Sequence, residues 1–73
     1  MKNMNIRSNM SGSLWKLVVK VGDQVEAGQE VAILESMKME IPIVSEGSGV
    51  VEAILKNEGD FVQEDEVVVR LQA

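Results

Sequence analysis

The chain has 73 residues, enough for one domain with a thin core and too few for two. It contains no cysteine and no histidine, which excludes disulfide staples, the usual zinc sites and both Ser-His-Asp and Cys-His catalysis. Seven Lys and Arg against 12 Asp and Glu leave a net charge of −5, the reverse of the basic footprint that nucleic acid or an anionic membrane surface selects.

A single domain over residues 1–73 is expected, with 1–5 as a flexible polar lead-in. That lead-in lacks the apolar segment of a signal peptide. No apolar run approaches the roughly 20 residues of a membrane span. A cytoplasmic location is the expectation. From Ile6 onward short apolar runs alternate with turn signals. Strands are expected near 5–8, 13–19, 30–36, 39–45, 49–55 and 67–72. Turns are expected at Ser11-Gly12, Gly22-Asp23, Ala27-Gly28, Gly47-Ser48-Gly49 and Gly59-Asp60. Pro42 interrupts a strand pattern, which places it on an edge or at a bulge. Valine and isoleucine dominate the apolar residues, and Trp15 and Phe61 are the only aromatics, so the composition is that of an all-β domain.

The chain overlays itself at an offset of 37 residues without a gap. Ser11-Gly12 falls on Ser48-Gly49, Gly22-Asp23 on Gly59-Asp60, Val25 on Val62, Val31 on Val68 and Leu34 on Leu71. Each half reads as strand, Gly-Asp turn, short strand, longer strand. One half cannot bury its own apolar face. Two halves related by a pseudo-two-fold axis pack as a flattened β-barrel or sandwich. Alternation predicts Leu14, Leu17, Val19, Val25, Val31, Ile33, Ile41, Val51, Ile54, Val62, Val68 and Leu71 as the inward set. The Gly-Asp turns lack the helix N-terminus or clustered oxygen ligands of phosphate and calcium loops. The same symmetry sets both chain ends opposite residues 35–40, which become an exposed tip.

That tip reads Glu35-Ser36-Met37-Lys38-Met39-Glu40. A two-residue connection, Met37-Lys38, predicts a tight hairpin of type I′ or II′. Such turns require positive φ and favour Gly, Asn or Asp, so Met and Lys violate the local rule. Violations of that kind concentrate at functional sites. Met37 is expected in solvent, and Met39 either in solvent or in the core beneath the hairpin. Lys2, Lys16, Lys20 and Lys56 are expected as solvated surface, and Trp15 as a half-exposed strand residue beside Lys16 and Lys20.

The tip resembles the Met-Lys-Met attachment motif of the biotinyl/lipoyl domain family. Val21-Gly22-Asp23-Gln24-Val25-Glu26-Ala27-Gly28-Gln29-Glu30-Val31 is similar to that family's Gly-Asp and Ala-Gly-Gln turns, and Glu58-Gly59-Asp60-Phe61-Val62 to their second copy. The resemblance extends over residues 6–72 and is closest to small freestanding attachment proteins. Ser36 stands where Ala is frequent, and Glu64-Asp65-Glu66 replaces a second Ala-Gly-Gln turn. No insertion matches the protruding thumb of some carboxyl carriers. The resemblance implies two four-stranded antiparallel sheets and a cofactor carrier rather than an enzyme. It implies covalent biotin on Lys38, with lipoic acid as the alternative cofactor. Met37 and Met39 favour biotin, because lipoyl domains more often read Asp-Lys-Ala. Glu35, Ser36, Met37, Met39 and Glu40 would form the hairpin that a biotin protein ligase, or a lipoyl ligase, recognises. Biotin carboxylase and carboxyltransferase components are the implied partners of a monomeric swinging-arm carrier. An ordinary lysine is neutral in only roughly one molecule in 10³ at pH 7, so the ligase supplies the base and the activated acyl group. An unmodified β interaction module is the competing reading from a different class.

Overall fold

A computed structural model describes residues 3–72. Eight strands follow in order: β1 (Asn3–Arg7), β2 (Gly12–Leu17), β3 (Gln24–Val25), β4 (Glu30–Ser36), β5 (Met39–Val44), β6 (Gly49–Ile54), β7 (Phe61–Val62) and β8 (Val67–Gln72). They form two four-stranded antiparallel sheets, β1-β8-β6-β3 and β5-β4-β2-β7. The offset of 37 residues carries β1 onto β5, β2 onto β6, β3 onto β7 and β4 onto β8. The same shift converts the order of one sheet into the order of the other. Each sheet takes two strands from each half, so neither half holds a complete sheet of its own. Asn3–Asn5, expected in the lead-in, instead belong to β1 and pair with Arg70–Gln72 of β8. Met1 and Lys2 lie outside the described residues. Pro42 sits on β5, an edge strand, where its missing N–H breaks no ladder bond.

The repeat extends to individual hydrogen bonds. The Gly22 amide donates to the Val51 carbonyl at 2.9 Å, and the Gly59 amide to the Leu14 carbonyl at 2.8 Å. The amides of Lys20 and Asn57 donate to the Asp23 and Asp60 carboxylates at 3.0 and 2.9 Å. Both aspartates therefore serve their own turns. Ser8 and Ser45, buried and 37 residues apart, donate their hydroxyls to the carbonyls of Met10 and Gly47. Their amides donate to Glu66 and Gln29 carbonyls at 2.9 Å each. The alternation rule, tuned to apolar residues, passes over this polar pair.

The core comprises Ile6, Leu14, Val19, Val25, Val31, Ala32, Leu34, Ile43, Val51, Val62, Val68, Val69 and Leu71. Eight of the expected inward residues are among them. Leu17, Ile41 and Ile54 are half-buried against its margin. Ile33 is a correction: Leu34 is buried in its place. The cause is a set of β-bulges. Val31 is an extra residue in β4 against β5, and Val68 in β8 against β1. A bulge puts two residues opposite one and resets the alternation. Val31-Ala32 and Val68-Val69 are thus each buried as consecutive pairs, and the next inward residues are Leu34 and Leu71. Trp15 and Glu52 are the extra residues of β2 and β6. All four bulges obey the same 37-residue offset.

Candidate attachment hairpin

Strands β4 and β5 pair through Leu34↔Ile41, Glu35↔Glu40 and Ser36↔Met39, leaving Met37 and Lys38 as the whole connection. Both lie at positive φ, 51° and 64°, the handedness of a type I′ turn. This turn's twist matches the right-handed twist of its strands, so register and geometry select it over residue preference. An L side chain in this region costs roughly 1–2 kcal/mol per residue. Burial of Leu34 and Ile43 in the same hairpin supplies more than enough to hold it closed. The strain sits at the apex and the anchorage in the core.

Lys38 projects into solvent, with no hydrogen bond or ion pair among the described residues. Met37 is 92% exposed and Met39 65% exposed, so Met39 is not core packing beneath the hairpin. Its side chain shares the inward face with Ile41 but lies past the end of the apolar core. Glu35 and Glu40 are exposed and directly opposed, and Ser36 is half-buried. Like charges so placed disfavour pairing by a few tenths of a kcal/mol or more. The tip therefore offers one cation, two flanking carboxylates and two thioethers in water. Two ion pairs among the described residues lie elsewhere in the fold, the looser of them Arg70 with Glu52 at 3.9 Å. Lys56 pairs with Glu66 at 2.8 Å. The Gln63 amide and Lys56 hold the Glu66 carboxyl below the usual range. Lys16 lies 5.5 Å over the Trp15 ring. No group of three or more acidic side chains among the described residues is arranged to hold a metal.

Gly12 is the residue whose role the sequence obscured. It and Gly49 were expected in turns, but they open strands β2 and β6. A Cβ on Gly12 would lie 2.7 Å from the Glu35 carbonyl oxygen and 3.3 Å from the Ser36 Cβ. Gly12 thus lets β2 pass close against the base of the hairpin. Gly49 makes the equivalent approach to the Gln72 carbonyl oxygen, at 2.9 Å. In the second sheet Asn3↔Gln72 occupies the place that Glu40↔Glu35 holds in the first. The backbone enters β1 and leaves β8 where the second hairpin would be.

The described residues form a two-sheet scaffold that presents the Lys38 amine to solvent on a strained apex. The profile of the family described as "Biotin-requiring enzyme", the biotin/lipoyl attachment family, matches residues 3–71, and the chain belongs to that family. It is 60% identical over 68 residues to the "Biotin/lipoyl attachment protein" of Bacillus subtilis, covering 93% of both chains. It is 34% identical over 64 residues to the "Biotinylated protein TB7.3 homolog" of Mycobacterium leprae, covering 88% of this chain and 90% of that protein. Among solved structures, the urea carboxylase of Kluyveromyces lactis superposes with a TM-score of 0.91 at 38% identity. That match takes in 99% of this chain but only 6% of the carboxylase. The chain is a small attachment domain, a carrier that is not catalytic alone.

Proposed function

We propose that Lys38 is the attachment residue and that it carries biotin. The observation that carries this reading is the apex itself: a solvent-exposed lysine at φ 64°, without a hydrogen-bond or ion-pair partner among the described residues, in a turn whose chemistry favours neither of its residues. Attachment joins the ε-amine to the cofactor carboxyl group as an amide, which removes the cation. The lysine stem then becomes part of a long arm. The scaffold holds the arm's root, and the cofactor carries the chemistry. Tethering keeps the cofactor at an effective concentration in the mM range near any site the arm reaches.

Biotin would carry carboxyl groups between a biotin carboxylase and a carboxyltransferase. The name of the mycobacterial relative and the likeness to a urea carboxylase support this reading. Lipoic acid remains the second reading, because the Bacillus relative's name includes both cofactors. The hairpin, rather than a linear tag, would be what the ligase docks. Met37 and Met39 offer adaptable apolar contacts, and Glu35 and Glu40 frame them.

Intact mass measurement of protein purified from its native host tests the assignment. One added biotinyl group on Lys38 is the expected result. A lipoyl mass would replace biotin with lipoate, and no adduct after incubation with ligase, ATP and cofactor would leave an interaction module. Lys38→Arg should abolish attachment with Tm nearly unchanged. A large loss of Tm would make Lys38 structural.

A further inference from the structure

Two of the chain's methionines stand in water on either side of the acceptor lysine. Met37 is 92% exposed and Met39 65%, whereas Met10 is 44% exposed and Met4 is half-buried against the core. The tip of Met4 fills the space that a Gly47 side chain would need. Packing does not account for methionine at position 37, because almost none of it is covered. Turn chemistry does not either, because φ 51° favours Asn or Gly. What remains is the chemistry of the thioether and its contact with whatever closes on Lys38.

We propose that Met37 and Met39 form a peroxide-sensitive modification site that gates cofactor loading of Lys38. In the step, a sulfur lone pair attacks one oxygen of hydrogen peroxide and the O–O bond breaks. An S–O bond forms, and the departing hydroxide takes the remaining proton to leave as water. The sulfur is oxidised by two electrons and the peroxide reduced. The product, methionine sulfoxide, exchanges a flexible apolar tip for a polar acceptor and is reversed by sulfoxide reductases. An enzyme that reaches the Lys38 amine must cover both neighbours, so it would bury a sulfoxide oxygen among apolar groups without a donor. The gating half of the proposal rests on Lys38 being acylated by a ligase that docks this hairpin.

The unloaded full chain is treated with hydrogen peroxide, the excess removed with catalase, and oxidation followed by peptide mass mapping. Met37 should oxidise first, Met39 second, Met10 third and Met4 last. Earlier oxidation of Met4 or Met10 overturns the site. The oxidised chain is then offered to biotin protein ligase with biotin and ATP. Labelling should slow by about tenfold and recover after treatment with sulfoxide reductases. Equal labelling of oxidised and reduced chains overturns the gate. Met37→Leu/Met39→Leu should not be slowed by peroxide, whatever its starting rate. If it is slowed as much as the wild type, the effect lies elsewhere. If the untreated chain takes no cofactor, the attachment reading falls and the gate with it, while the oxidation order is still decided by the peptide map.

Discussion

Met37→Asn should raise stability and lower ligase labelling at once. Met37 occupies φ 51°, where an L side chain without local hydrogen bonding costs roughly 1–2 kcal/mol. Asparagine visits that region routinely and is favoured at the first position of a type I′ turn. Recovering about half of the strain gives ~0.5–1 kcal/mol. Met37 is 92% exposed, so its removal leaves no cavity to offset the gain. At ~4–8 °C per kcal/mol for a domain this small, Tm should rise by ~2–8 °C. Thermal unfolding followed by far-ultraviolet circular dichroism reads that shift. Ligase kcat/KM, from the rate of mass gain on the same sample, should fall, because Asn lacks the apolar tip. An unchanged or lower Tm would mean that the apex stores no strain. Unchanged labelling would remove Met37 from ligase recognition.

Four further variants separate scaffold from site. Gly12→Ala drives a Cβ to 2.7 Å from the Glu35 carbonyl oxygen, and should cost ~1–3 kcal/mol in urea unfolding and slow labelling by displacing the hairpin base. Gly49→Ala, with its Cβ 2.9 Å from the Gln72 carbonyl oxygen on the other sheet, should cost a similar amount and leave labelling rates intact. Asp65, at φ 70° where its repeat mate Gly28 lies at 86°, should accept glycine with a gain of roughly 0.5 kcal/mol in chemical denaturation. Arg7 donates to the Asp65 carbonyl rather than its carboxylate, so that bond survives the change. Glu66→Gln should lower Tm at pH 7 by removing the charge that Lys56 and the Gln63 amide stabilise. Because the folded state holds this carboxyl below its ordinary 4.5, its contribution is present above that value and fades as pH falls through the lower folded one. The Tm gap between variant and wild type should therefore close in acid, and a gap that persists there would refute the charge argument.

The longer strands and the internal repeat could be read from the chain because paired glycines, aspartates and valines keep one register over both halves, whereas the order of strands in each sheet could not. The hairpin could be read because Met-Lys occupies a two-residue connection between strands of matched length. The bulges could not. Val31-Ala32 and Val67-Val68-Val69 are apolar throughout, so period-2 alternation has no polar residue to mark where its phase resets. Alternation therefore puts Ile33 in the inward position that Leu34 takes, because one bulge residue shifts the phase while the hydrophobicity of both is the same in kind. Gly12 and Gly49 read as turn residues because glycine signals both a turn and a close backbone approach, and only packing distinguishes them. Met39 was ambiguous for a related reason. Its parity is inward, but the core ends one residue pair short of it.

The pairing of Asn3 with Gln72 where the other sheet pairs Glu40 with Glu35 also sets a stoichiometry. A two-fold duplicated fold has two equivalent hairpin positions, yet a linear chain can close only one of them, because it must enter and leave at the other. One closed hairpin apex of this kind per domain is thus a property of topology before it is a property of sequence. A second apex of the same kind would need Asn3 and Gln72 to be joined by a two-residue turn, as Ser36 and Met39 are.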